Sequence, residues 1–336
     1  MSKAVPVSDG SLQNPNPGES PGSAPHPARV YREGLTGLVS RWIYGLAYSL
    51  TPGRAGGIPA LVWNVCRDIV RGGTAVPDQN RTSLPDTFGG VCRKPSAETV
   101  LAAARLGFFP WCHIGPLKWW TRRQRMVLFF KEHHISKRLR RDMRKAKYRV
   151  TFDEAFEQVI VACAGRRSYN FHSLTWITPR IMRLYTDLYD QGHAHSFEVW
   201  SEDGRLVGGG YGLSVGRVFV TESQFSLEPN TSKMGFAVLN YHLAKWGYAL
   251  NDGKDFTPTI EAMGFRLISR QVFEDVLARN TAVAETGAPV GRWHAEAGLA
   301  EVADWQPGGT KSDGQQPADE TVPGPEPVSP DRKVAA

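Results

Sequence analysis

A change of hydrophobic period near residue 194 constrains the fold more than any other feature of this chain. Before it, apolar residues recur at helical spacing. Phe156, Val159, Ile160 and Cys163 form the inward stripe of one segment, Asp153–Ala164, and Pro179–Gln191 forms a second, with Thr178 as its N-cap and Pro179 at its first position. After it the period is two. Ser196–Ser201, Arg205–Leu213 and Arg217–Phe225 predict three strands joined by the turns Glu202-Asp203-Gly204 and Ser214-Val215-Gly216. A helix over about 232–247, a short strand near 248–251 and a helix near 257–263 follow. This order is α+β; a doubly wound parallel sheet would need a crossover helix between successive strands.

Upstream, Val30–Gly72 reads as two helical segments divided at Pro52-Gly53-Arg54-Ala55-Gly56-Gly57. Ser96 is placed to cap a short helix, Ala97–Leu106, that stops at Gly107. Two aromatic clusters follow, Gly107-Phe108-Phe109-Pro110-Trp111 and Leu117-Lys118-Trp119-Trp120. Tryptophans this dense are core residues by default, and stacking on nucleobases is the alternative. In Ile135–Arg149, the residues Ile135, Leu139, Met143 and Ala146 make an apolar stripe. The other faces carry Lys137, Arg138, Arg140, Arg141, Arg144 and Lys145, interrupted by Asp142. A charge run is commonly a solvated face, but six cations in three turns repel one another unless an anion neutralises them, so this helix is expected to bind a phosphate backbone.

Charge and proline distribution support that reading. Of the 23 prolines, six precede Ala28 and six lie at or after Pro307, which marks both ends as disordered tails. The net charge is +7; the tail from Lys311 contributes −2 and the N-terminal tail is neutral, so the folded part carries +9. An anionic partner is expected, nucleic acid ahead of membrane. Cys66, Cys92, Cys112 and Cys163 show no metal or disulfide spacing. The N-terminus does not read as a signal peptide, and the longest apolar stretches fall short of the roughly 20 residues that span a bilayer, so a cytoplasmic protein with no membrane partner is expected.

Several motifs resemble chemistry. Gly212-Leu213-Ser214-Val215-Gly216 matches the serine-hydrolase pattern but lies in a hairpin, whereas that motif needs a strand, a strained turn and a helix. Gly208-Gly209-Gly210 lacks the Lys-Ser/Thr of a phosphate loop and any following helix, and fits a strand that approaches another chain or a ligand closely. His193-Ala194-His195 has no third ligand at metal spacing, so no metal is expected. Two acids stand out. Glu222 lies on an apolar strand, where a carboxylate needs a partner or a cleft, and Asp252 follows a strand end, where sites collect. A salt-bridged acid and an ordinary turn aspartate are the plain alternatives.

Together the motifs resemble the leucyl/phenylalanyl-tRNA–protein transferase family. Phe108-Phe109-Pro110-Trp111, Trp119-Trp120 and His134-Ile135-Ser136 carry the resemblance, with Thr175-Trp176-Ile177-Thr178 and Gly192-His193-Ala194-His195-Ser196. So do Glu198-Val199-Trp200, Glu222-Ser223-Gln224-Phe225-Ser226 and Ser232-Lys233, in unbroken order over about 85–277. The resemblance implies a small N-terminal domain followed by a GNAT-like acyltransferase domain, in keeping with the element order. It implies transfer of an amino acid (Leu, Phe or Met) from aminoacyl-tRNA to the α-amine of a protein beginning with Lys or Arg, which marks that protein for degradation. A monomer needing no cofactor is expected, because the ester arrives activated. By motif position the catalytic group is Glu222, Asp252 and Lys254. Trp111, Trp176, Gly210, Gln224, Phe225 and Ser226 fall in the substrate site, and Lys137, Arg140, Arg141, Arg144 and Lys145 on the tRNA.

The chain departs from the family in three places. Asp252-Gly253-Lys254 replaces Asp-Cys-Gln, so a lysine stands where the family has a glutamine. Gly210 and Gln224 replace apolar residues of the donor pocket, which predicts a wider pocket and a glutamine in need of hydrogen bonds. Thr121-Arg122-Arg123-Gln124-Arg125 replaces Ser-Pro-Asp-Pro-Arg. The expected division is a tail over 1–29, a helical extension over 30–80, a small domain with the basic helix over 81–150, the catalytic domain over 151–280 and a largely disordered tail over 281–336. Two rival functions remain: an acyl-CoA-dependent N-acyltransferase, against which the absence of a pyrophosphate loop at 228–233 counts, and a catalytically inactive tRNA-binding paralogue.

Overall fold

The computed structural model describes residues 31, 35–50, 55–79, 87–165, 175–281 and 288–307; the expected tails over 1–29 and from 308 onward, and the loop 166–173, lie outside them. Two helices come first, α1 (Leu35–Ser49) and α2 (Ile58–Val70), divided where the Pro/Gly segment predicts. After β1 (Phe88–Val91) comes α3 (Ala97–Arg105). The Ser96 hydroxyl accepts from the Thr99 amide at 3.3 Å and the Thr99 hydroxyl accepts from the Ser96 amide at 2.8 Å, so two orphan donors of the first turn are satisfied reciprocally. The aromatic clusters form β2 (Phe109–Trp111) and β3 (Lys118–Trp120), which join β1 in a small antiparallel sheet of order β1-β3-β2. Trp119 is its buried centre, and Trp111 and Trp120 are half-buried.

The next strand, β4 (Gln124–Leu128), leaves that sheet for a larger one, so the segment 81–150 is shared between two sheets. Ser136 caps α4 (Lys137–Arg144), its hydroxyl accepting from the Leu139 amide at 3.3 Å. The helix is shorter than its pattern suggests. Ala146 is exposed with φ +51, outside the inward stripe, and the chain turns there into β5 (Tyr148–Phe152). Then come α5 (Phe156–Ala164) and α6 (Pro179–Asp190), whose cap is the expected Thr178. The meander follows as β6 (Ala194–Ser201), β7 (Leu206–Val215) and β8 (Val218–Ser226). The unit closes with α7 (Thr231–Lys245), β9 (Leu250–Asp252), α8 (Pro258–Glu261), β10 (Arg266–Ser269), α9 (Arg270–Thr281) and α10 (Leu299–Asp304). The large sheet has the order β10-β4-β9-β8-β7-β6-β5; β8 and β9 are parallel and the other neighbours antiparallel.

Strand alternation divides the core. Tyr211, Leu213 and Val220 pack with α3, α5, α6 and α9, while Phe197, Val199 and Phe219 pack with α4, α7 and α10. Gly208 serves this second packing: a Cβ there would lie 2.5 Å from the Thr231 hydroxyl, so the close approach it permits is that of α7, whereas a Cβ on Gly209 would meet the Phe225 ring at 3.0 Å and Val159 at 3.4 Å on the other face.

Residues 288–307 are folded, contrary to the expectation of a disordered tail from 281. Trp293, 1% exposed, stacks on His195 with ring centroids 3.6 Å apart, and its amide donates to Asp153 at 2.8 Å. The same carboxylate accepts from His195 Nδ1 at 2.7 Å and the Ser196 amide at 2.8 Å. His195, weighed above as a metal ligand, is thus a structural partner, and among the described residues no cluster suits a metal ion.

Beside this clasp, Glu198 is fully buried and accepts from the hydroxyls of Thr151 at 2.6 Å and Ser196 at 2.5 Å. Burial outweighs these bonds and pushes its carboxyl up to about 7. Between its ordinary value and 7 the folded chain holds a proton that the unfolded chain has released. Glu198 therefore costs stability progressively as pH rises through that window. Glu198→Gln is expected to flatten the fall in urea-unfolding stability between pH 5 and pH 8 relative to wild type, as parallel titrations at the two pH values would show.

Candidate active site

The site forms where β8, β9, β4 and α6 converge. In the β7–β8 ladder Tyr211 pairs with Ser223 and Gly212 with Thr221, so Glu222 is the extra residue of a bulge. Glu222 follows Val218 and Val220 onto the Tyr211 side of the sheet and turns into the interior, and the bulge shifts the alternation of the residues after it. Its side chain is 1% exposed and ion-pairs with Lys254. Lys254 takes the left-handed conformation, φ +62, a strain that its amide bond to Asp252 Oδ1 at 2.9 Å helps to hold. The ammonium lies 4.9 Å from the Phe109 ring centre and 5.8 Å from that of Trp176, two cation–π contacts. Burial drives the lysine below its usual range while the Glu222 charge opposes the shift.

Glu222 Oε1 and the hydroxyls of Tyr185 and Tyr211 are buried together here, with the Tyr185 phenol within reach of the Glu222 carboxylate. Burial raises both phenols, and the Glu222 charge raises them further. A small cavity lined by Glu222, Arg125, Phe109, Leu213 and Val220 adjoins them. A carboxylate and two phenol oxygens gathered in one buried place form an acceptor-rich cradle suited to a group with several N–H bonds, such as an amine or ammonium.

A buried ion pair supports the floor. Arg125 and Asp252 are 2% and 0% exposed. Arg125 Nε donates to Asp252 Oδ1 at 3.2 Å, Nη2 donates to Oδ2, and Nη1 donates to the Gly107 carbonyl at 2.8 Å. The register that sets Val127 opposite Asp252 brings β4 and β9 together for this contact. Both oxygens of Asp252 are thereby engaged, so in this state it positions Arg125 and Lys254.

The sequence-expected residues separate accordingly. Glu222, Lys254, Asp252 and Trp176 come together. Trp111 packs edge-on against His113 and Trp120, with centroids at 4.5 and 6.2 Å. Phe225 packs on the same core face as Tyr211. Gly210 and Gln224 do not join this group. A Cβ on Gly210 would lie 2.7 Å from the Phe197 ring and 2.8 Å from Gln224 Cγ, on the α7 side of the sheet, so the expected wider pocket is filled. Gln224 is only half-buried. Ser226 is exposed, and its hydroxyl bonds the Glu228 carbonyl at 2.8 Å and the Thr231 hydroxyl at 2.9 Å, fastening the entry to α7.

The basic helix is partly neutralised from within. Arg140 is turned toward α10, donating to the carbonyls of Ala303 at 2.6 Å and Trp305 at 2.8 Å, which corrects its expected place on an external surface. Arg144 pairs with Asp304 at 2.5 Å and Lys145 with Asp142 at 2.8 Å. Lys137, Arg138 and Arg141 are exposed.

Tyr185, Tyr211, Phe109 and Arg125 are the site residues that sequence reasoning passed over. Arg125 carried a signal, an arginine in the otherwise apolar strand end Met126-Val127-Leu128, and so did Tyr211, an aromatic inside a glycine run.

Residues 127–278, which include Glu222, Asp252 and Lys254, match the family described as leucyl/phenylalanyl-tRNA protein transferase. The chain is 47% identical over 186 residues to the leucyl/phenylalanyl-tRNA–protein transferase of Pseudomonas syringae pv. syringae (strain B728a), covering 55% of this chain and 80% of that protein. It is 48% identical over 186 residues to the protein of that name from Pseudomonas fluorescens (strain Pf0-1), covering 55% and 81%. For that of Cellvibrio japonicus (strain Ueda107) the figures are 44% over 187 residues, 55% and 78%.

Removing one partner of the floor pair leaves the other charge buried alone. Asp252→Asn is expected to cost about 3–5 kcal/mol in urea unfolding, while the paired replacement Arg125→Met with Asp252→Leu should recover most of that loss.

Proposed function

The chain belongs to the leucyl/phenylalanyl-tRNA–protein transferase family, and on that premise we propose that it transfers an amino acid from charged tRNA to the α-amine of a protein that begins with Lys or Arg, marking it for degradation. The observation that carries this reading is the Glu222 cradle: a buried carboxylate facing two buried phenols, Tyr185 and Tyr211, and an adjacent ammonium.

In the proposed reaction the acceptor amine attacks the ester carbonyl carbon. A C–N bond forms, the C–O bond to the terminal ribose breaks, and the amine proton passes to the ribose oxygen. Glu222 Oε1 and the Tyr185 and Tyr211 hydroxyls receive the amine and orient its lone pair. Lys254, an ammonium donor where the family carries an amide, steadies the oxyanion of the tetrahedral intermediate. Asp252 and Arg125 position that lysine. Phe109 and Trp176 line the approach as apolar surfaces for the donor side chain or the terminal adenosine. The meander β5–β8 with the parallel pair β8–β9 supports a GNAT-like reading of the large sheet. Lys137 and Arg141, with Lys145 and Arg144 at the helix end, are the proposed contacts to the tRNA backbone.

Mass spectrometry of a peptide beginning with Lys or Arg, incubated with the protein and fully charged total tRNA, tests the reaction. A mass gain of Leu, Phe or Met is expected. No gain beside a working family enzyme would favour the inactive tRNA-binding alternative, and a gain seen only with acyl-CoA would favour the other. Glu222→Ala should reduce transfer at least about a hundredfold while leaving tRNA affinity near wild type; equal losses of both would remove Glu222 from the chemistry. The double reversal Lys137→Glu with Arg141→Glu should weaken tRNA binding and lower the slope of log K against log salt by about 2. An unchanged slope would remove α4 from the interface.

A further inference from the structure

The first two helices carry an exposed apolar surface that the reaction does not use. Leu35, Leu38, Val39, Trp42, Ile43 and Leu46 recur at helical spacing along α1, and each is at least 40% exposed. On α2, Trp63 is 69% and Val70 88% exposed. Of the fifteen exposed large apolar residues among the described ones, eleven lie on or directly after these two helices, which makes this the chain's one concentration of uncovered hydrophobic surface. The attachment of α1 includes Gly45, where a Cβ would lie 2.5 Å from Ile114. Both helices fall outside the stretch that matches the family.

Charge at the surface has one sign. α1 and α2 hold a single acid between them, Asp68, and it faces inward, accepting from the Val91 amide at 2.5 Å and from the Thr74 hydroxyl at 3.2 Å. Arg67 and Arg71 are exposed beside it, and Arg93 and Lys94 are exposed where the Thr74–Cys92 bridge brings their segment alongside.

We infer that α1 and α2 adsorb in the plane of an anionic lipid surface, their apolar residues in the interfacial layer and these cations on the headgroups. Neither helix is long enough to cross a bilayer, and among the described residues no helix is long and apolar enough to do so. In-plane binding needs no such length; it needs an apolar stripe, interfacial tryptophans and basic flanks, all three of which are here. The expectation of no membrane partner rested on segment length, which bears on spanning alone. The chain's own tails are poor covers, since 1–30 and 308–336 contain no aromatic residue. A second copy would bring the same two helices, which carry no outward acid to meet Arg67 and Arg71.

Flotation of the full chain with vesicles of phosphatidylglycerol and phosphatidylcholine, and with phosphatidylcholine alone, tests this. Binding to the anionic vesicles is expected, with a blue shift of tryptophan emission. Ile43→Glu with Trp63→Glu should weaken it at least about tenfold at unchanged thermal stability. Arg67→Glu with Arg71→Glu should weaken it on anionic vesicles, while Arg141→Glu on α4 should leave it as in wild type. The inference is overturned if the chain does not float, if the Ile43/Trp63 variant floats as well as wild type, or if only the α4 variant loses binding. Equal binding to both vesicle types would overturn the role of the cations. Self-association in sedimentation, abolished by the Ile43/Trp63 pair and accompanied by no flotation, would assign the surface to a second copy instead.

Discussion

The contact that ties together the elements around the site is the ion pair of Arg125 and Asp252. Two charges withdrawn from water are tolerated only where geometry and further hydrogen bonds offset their desolvation. Here the guanidinium meets both carboxylate oxygens, spends another donor on the Gly107 carbonyl and lies 4.4 Å from the Phe273 ring centre. One contact thus joins β4, β9, α9 and the end of α3. It also fixes the segment after β9, because Asp252 holds the Lys254 amide in a backbone region that a lysine would otherwise avoid. Lys254 and the small sheet's aromatic edge therefore share a single support.

The strand that carries Glu222 has a different device. A regular β8 would leave its alternation unbroken, whereas the bulge sets Glu222 and Ser223 on the same side of the sheet and moves Gln224 to the other. Without it, Gln224 would follow Glu222 onto the Tyr211 side of the sheet. Sequence alternation does not reveal a one-residue insertion of this kind, which is why Gly210, Gln224 and Glu222 read as lining one pocket and occupy two faces. What was legible is what local chemistry decides: the meander, the Ser96 and Thr178 caps, and Glu222 as an acid out of place. The partnership of Arg125 with Asp252, across 127 positions, was not, since it depends on which strands become neighbours.

The basic helix shows the same limit from the side of electrostatics. Six cations in three turns do require anions, and the chain supplies some itself: Asp142 within the helix, Asp304, and the last carbonyls of α10. The anchoring of that last segment turns on Trp293 and Asp153. Its glycine- and proline-rich approach, Gly287-Ala288-Pro289-Val290-Gly291, looks like a tail, and only the buried indole beyond it indicates otherwise.

The position of β4 also has a consequence for biosynthesis. Its two neighbours in the large sheet, β9 and β10, are made more than 120 residues later. As the chain leaves the ribosome, β5 to β8 can pair with one another in order, but β4 stays unpaired with its arginine lacking a counter-charge until residues 250–269 emerge. Sheet closure is a late, long-range event of high contact order, and an apolar strand must wait for it in the open. For a nascent chain this interval is when the protein is most vulnerable to aggregation, and the charged residues just upstream, Arg122 and Arg123, stand where they can discourage mispairing of that waiting edge.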